Sequence, residues 1–218
     1  MSNKVIIKPT LCNCCDITLP YIINIENPSK QIGIFGDSFA GLQDELTYSK
    51  IHLNNDLWSH EFSWMYYLGM LTNSEIHSWG LSRCSEKETA FLLAKCPIKY
   101  DIYVIVHTIP TRINTRIDLP KKFSLYSALT IMKRFTENKK IIHLYWSKDH
   151  KIYKFKNSIE YCFEDILSNH INEDDLWMAD WEPNFKKSKL DKYTGMNHLS
   201  NRGNLLLGME INKLLAKY

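Results

Sequence analysis

The chain has 218 residues, 27 Lys and Arg against 24 Asp and Glu, a net charge of +3, and is 44% hydrophobic and 23% charged. That length suits one medium domain with a full core. The charge is too small to point to nucleic acid as a partner, despite the pairs Lys139-Lys140 and Lys186-Lys187, and no apolar run reaches the ~18 residues of a membrane span.

Residues 1–30 hold two short apolar runs, Val5-Ile6-Ile7 and Tyr21-Ile22-Ile23, interrupted by Pro9, Pro20 and Pro28. They read as an irregular lead-in with room for one edge strand. Met1 to Pro20 has no long apolar stretch and no clean cleavage site, so no secretory signal is expected. The six cysteines (Cys12, Cys14, Cys15, Cys84, Cys96, Cys162) do not space out as a disulfide framework. A reducing, cytoplasmic location is the simpler expectation. Cys12-x-Cys14-Cys15 lacks the second ligand pair of a structural zinc site and reads as free thiols.

Ile32 to Phe35 is an apolar run that suits a buried strand. It stops at Gly36-Asp37-Ser38, with Ala40 and Gly41 allowing a tight exit. Asp56 to Met65 places Leu57, Trp58, Phe62, Trp64 and Met65 roughly on one helical face, with Asn54, Asn55 or Asp56 as cap. Glu75 to Ser85 reads as a short strand, a glycine turn at Gly80 and a helix start; the helix runs to Lys95, before Pro97. Asp101 to Val106 is the most secure strand, followed by a loop from His107 through Thr108 to Arg112. Residues 124–136 read as helix, Lys140 to Trp146 as strand, Asn157 to Leu167 as helix and Leu176 to Ala179 as a last strand. Leu205 to Leu215 is a strongly apolar helix, with Ser200 or Asn201 as N-cap and His198 just ahead of its start.

Strands alternating with helices, and no linker or repeat, predict a single domain over residues 1–218 with a parallel sheet covered on both faces. A serine just past the first such strand stands at the rim where open α/β sheets keep their chemistry. Gly36-Asp37-Ser38-Phe39-Ala40 misses the G-x-S-x-G elbow by one residue and comes too early in the chain for that fold.

Three blocks in order resemble the SGNH (GDSL-like) hydrolase family: Gly36-Asp37-Ser38 after the first strand, Ser78-Trp79-Gly80-Leu81-Ser82 after the second, and His198 with Leu199-Ser200 and Gly203-Asn204 before the final helix. Trp58 fits a common habit of that family, and the resemblance spans about Gln31 to Leu215. It implies a flavodoxin-like three-layer α/β/α sandwich around a parallel sheet of about five strands. It also implies a serine esterase that needs no metal and no organic cofactor. Ser38 is then the nucleophile that forms an acyl-enzyme, and His198 the base that takes its proton. A position ahead of a helix N-terminus disfavours imidazolium and keeps His198 competent near neutral pH. The backbone N–H groups of Ser38 and Gly80 become the oxyanion donors.

Two positions depart from the family pattern. No asparagine follows the third strand before Asn114, leaving Thr108 as a hydroxyl donor or Arg112 as a source of charge. Gly195 stands where the supporting aspartate belongs, so Asp191, Asp180 or a backbone carbonyl is left to orient His198. Asp37, Trp79 and Arg112 are the candidate substrate-binding residues, Trp79 by its place beside Gly80. The expected substrate is a small-molecule or glycan ester, with O-acetyl carbohydrate preferred. The alternative is a catalytically degenerate relative that binds a glycan or protein partner in the same cleft.

Overall fold

The computed structural model describes residues 21–23, 25–37, 40, 63–80, 84–107, 124–137, 139–145, 151, 153–156, 158–166 and 201–217. The strands are β1 (Tyr21–Ile23), β2 (Lys30–Gly36), β3 (Ser74–Gly80), β4 (Ile102–His107), β5 (Ile141–Tyr145) and β6 (Ile159–Cys162). The helices are α1 (Trp64–Thr72), α2 (Glu86–Lys95), α3 (Leu125–Glu137), α4 (Phe163–Ile166) and α5 (Asn201–Leu215). One sheet holds all six strands in the order β1-β3-β2-β4-β5-β6. β2 to β6 run parallel, and β1 lies antiparallel on the β3 edge. The lead-in thus supplies the edge strand. The chain's first parallel strand sits inside the sheet, and the direction of winding reverses between β2 and β4. This is the doubly wound order of flavodoxin-like folds.

The central strands are buried along their whole length, as strands covered by helices on both sides must be. Alternate residues feed two cores. One joins Ile32, Ile34, Ile76, Val104, Val106, Ile142 and Leu144 to α1 and α5 through Trp64, Leu68, Leu207 and Ile211. The other joins Phe35, Trp79, Tyr103, Ile105 and Ile141 to α2 and α3 through Leu93, Ala128 and Met132. Three layers result.

The helix starts follow from local chemistry. Ser63 is extended (φ −73°, ψ 150°), and its side chain accepts from Tyr66 N–H at 3.1 Å. Ser85 and Glu88 form a reciprocal capping box at the start of α2. A helix crossing Ser63 from Asp56 to Met65 is therefore corrected: α1 starts at Trp64 and continues to Thr72, and residues 56–62 lie outside the described ones. Ser63 caps α1, and the cap candidates Asn54, Asn55 and Asp56 lie outside the described residues. The proposed helix over 157–167 is corrected too. Its first half is β6, and only Phe163–Ile166 turns helical. The strand expected at 176–179 lies outside the described residues.

α1 and α5 run side by side in the same direction. Trp64 N–H, in the first turn of α1 where the helix supplies no acceptor, donates to Asn204 Oδ1 at 3.0 Å. One turn further along, a Cβ on Gly208 would stand 2.8 Å from Tyr67 Cβ and 2.9 Å from Trp64 O. Only a glycine lets the two backbones approach this closely. Because α1 carries the chain from the C-terminal ends of the strands back to the start of β3, α5 begins at that same C-terminal rim.

Candidate functional site at the strand ends

The rim at the winding reversal is built around Gly36. Its φ is +149°, and a Cβ there would stand 2.3 Å from Val106 O and 2.8 Å from Val106 Cβ. Side chains are excluded both by conformation and by space. Gly36 pairs with Gly80, the last residue of β3, and with Val106, the last but one of β4, so the ends of three strands form one line across the rim. Beyond Gly36, Asp37 is buried, and its carbonyl accepts from Ala40 N–H at 3.0 Å, drawing the chain back. Ser78 Oγ on β3 donates to Ala40 O and ties the returning chain to the sheet. Ala40 then packs in the aliphatic core with Val106.

Of the sequence-derived candidates, Asp37, Gly80 and Trp79 are described, and they lie at or just inside this rim. Trp79 points into the aromatic core. Its ring stacks on Phe35 (5.8 Å, 1°), and Nε1–H donates to Tyr100 Oη at 2.7 Å. Its donor is spent on the protein's own interior. Ser38, Thr108, Arg112, Asp180, Asp191 and His198 lie outside the described residues.

Sequence reasoning missed a polar chain beside the rim. His107 is the last residue of β4, not the first of a loop. Its Nδ1 lies 3.1 Å from Glu86 Oε2 at the start of α2, and its Nε2 lies 2.7 Å from His143 Nδ1 on β5. His143 Nε2 lies 3.2 Å from Thr136 Oγ1, which donates to Met132 O at 2.8 Å. The rings stack as well: His107 on Tyr145 at 4.4 Å, and His143 on Phe155 at 4.0 Å. Burial, and then the neighbouring His107, hold His143 well below the usual imidazole range. The available signal was phase: in Ile102–His107, Tyr103, Ile105 and His107 share one face. Among the described residues no three His, Cys, Asp or Glu side chains converge as a metal site, so this is a line and not a cage.

Beside Glu86, burial pushes the Cys84 thiol up, and the carboxylates of Glu88, Asp37 and Glu86 add to the effect. Such a thiol is a packing group and not a nucleophile. Among the described residues Cys84, Cys96 and Cys162 form no disulfide, and no helix is long and apolar enough to cross a membrane.

No family model matches the sequence, and no curated protein matches it. Solved structures do match the fold. A protein of the lipolytic G-D-S-L family from Veillonella parvula DSM 2008 superposes with a TM-score of 0.53 at 11% identity, over 86% of this chain and 99% of its own. A second structure, described as a lipolytic protein of the G-D-S-L family from Desulfitobacterium hafniense DCB-2, gives 0.50 at 16% identity, over 84% and 98%. The α/β/α architecture is that of the SGNH (GDSL) fold.

Proposed function

We propose that the protein is a serine ester hydrolase of SGNH type acting on O-acyl esters, with acetylated carbohydrate as the preferred substrate class. Ser38 attacks the ester carbonyl, His198 takes the hydroxyl proton and later returns it to the leaving alcohol, and water then resolves the acyl-enzyme. The N–H groups of Ser38 and Gly80 stabilise the oxyanion, each worth on the order of 100-fold in rate or more. Thr108 and Arg112 are the remaining candidates to complete that pocket, with Asp191 to orient His198.

The observation that carries the reading is Gly36. Its left-handed backbone, locked between Gly80 and Val106, turns the chain out of the sheet at the winding reversal immediately before Asp37-Ser38. The start of α5 at the same rim supports the pairing with His198, three residues upstream of Asn201.

Purified full-length protein is expected to hydrolyse p-nitrophenyl acetate and to be labelled at Ser38 by a fluorophosphonate. Ser38→Ala is expected to lower kcat/KM about a thousandfold or more with the fold intact. Turnover unchanged in that variant rejects the nucleophile. A folded wild type with no turnover and no labelling favours the binding alternative.

A further inference from the structure

The line Glu86–His107–His143–Thr136 plays no part in that mechanism, yet it joins the two segments that flank the rim. Glu86 opens α2 a few residues after Gly80, and His107 closes β4 one residue after Val106, the partner of Gly36. The three titratable members are deeply buried, at 5%, 3% and 0% exposure for Glu86, His107 and His143. We propose that Glu86 and His107 share a single proton and act together as positioning residues, clamping the end of β4 to the start of α2 beneath the candidate site.

Donor counting leads there. Thr136 has one hydroxyl hydrogen, and the shorter of its two bonds, 2.8 Å, sends that hydrogen to Met132 O. Thr136 Oγ1 must then accept from His143 Nε2–H. Burial disfavours a second proton on His143, so its Nδ1 is bare and accepts from His107 Nε2–H. His107 Nδ1 therefore faces Glu86 Oε2 with one further proton between them, on the imidazole or on the carboxyl. Either way the pair is neutral overall, which suits its burial. The chain run in the opposite direction holds one proton fewer. His107 donates to Glu86 from Nδ1, His143 donates to His107 from Nδ1, and Thr136 donates to His143. That arrangement withdraws the Thr136 hydroxyl from Met132 O.

The groups facing this pair come from every neighbouring element. Tyr145 stacks on His107 from β5, with Phe155 on its flank. Cys84, Glu88 and Asp37 lie around the Glu86 end. Burial raises the Tyr145 and Tyr153 phenols, so both stay neutral. Lys151 is held by Glu160 at 2.5 Å.

Long-range 15N imidazole spectra of the full chain test the proton count without reference to activity. Protonated Nε2 and bare Nδ1 are expected on His143, with Nε2 protonated on His107. A His143 protonated at Nδ1 overturns the proposal. Two variants then test positioning. Glu86→Gln supplies an amide N–H in place of the shared proton, whereas Glu86→Leu supplies nothing. The Gly80 and Val106 amide resonances are expected to move in the Leu variant and to return towards wild type in the Gln variant. Equal movement in both, or in neither, overturns the clamp.

The kinetic consequence rests on the esterase reading. Leu is expected to lower kcat for p-nitrophenyl acetate about tenfold or more with little change in KM, and Gln to recover most of the loss. A wild type without turnover sinks the esterase reading alone, while the tautomers and amide shifts still decide the clamp.

Discussion

The two faces of the sheet are built from different chemistry. Towards α1 and α5 the strands present Ile32, Ile34, Ile76, Val104, Val106, Ile142 and Leu144, an aliphatic layer. Towards α2 and α3 the same strands present Phe35, Trp79, Tyr103 and three buried histidines, His77, His107 and His143. Each histidine there has partners on both ring nitrogens; His77, for example, lies 3.1 Å from Tyr100 Oη and 2.7 Å from Glu75 Oε1. The first face is held by volume and the second by donor–acceptor matching. They should therefore fail in different ways.

The largest effect is expected on the aliphatic face. Leu207→Ala empties a fully buried site between α5 and the sheet, and should lower the unfolding free energy by about 2–5 kcal/mol in urea denaturation. On the other face, Tyr100→Phe changes almost no volume. It strands Trp79 Nε1–H and takes the hydroxyl from His77 Nδ1, which should cost about 1–3 kcal/mol. Tyr103→Phe leaves only Tyr100 N–H without its acceptor and should cost less. If Tyr100→Phe is neutral, the donor–acceptor account of this face is wrong.

The faces should also differ in pH response. His143 is held below its unfolded pKa of about 6.5. Below that pH the unfolded chain takes a proton that the folded chain refuses, so stability falls as pH falls. The slope reaches about 1.4 kcal/mol per pH unit for one such group. His143→Asn keeps an acceptor for His107 Nε2–H and should flatten the acid limb of the urea midpoint, whereas Leu207→Ala should shift the curve without flattening it. The smallest effect belongs outside both cores. Tyr126 on α3 is 81% exposed, and Tyr126→Ala should stay within about 0.5 kcal/mol of wild type.

This contrast also explains what could be read from the sequence. β2, β4 and β5 were legible because strands covered on both sides become unbroken apolar runs. β6 was not, because Ile159-Glu160-Tyr161 is only partly buried and its mixed pattern resembles a helix face. The start of α1 was misread because Trp and Phe residues run apolar across Ser63, and the cap is a matter of one hydroxyl and one N–H. At the site, Gly36 and Gly80 were legible as strand-end glycines, and the structure sets them side by side. Trp79 was placed near the pocket by its neighbour Gly80; strand alternation turns its ring inward against Phe35. The Glu86–His107–His143 line was invisible because it arises from strand pairing and a helix start, between residues 21 and 36 positions apart.

The bond from Trp64 to Asn204 spans 140 positions of chain. Its consequence lies in the order of synthesis. While a ribosome is still making the later strands, Trp64, Leu68 and their sheet partners have no lid, and Leu207, Ile211 and Leu215 arrive long afterwards. A nascent chain stalled before residue 201 should therefore bind chaperones through its uncovered aliphatic layer, and maturation should wait for that final helix.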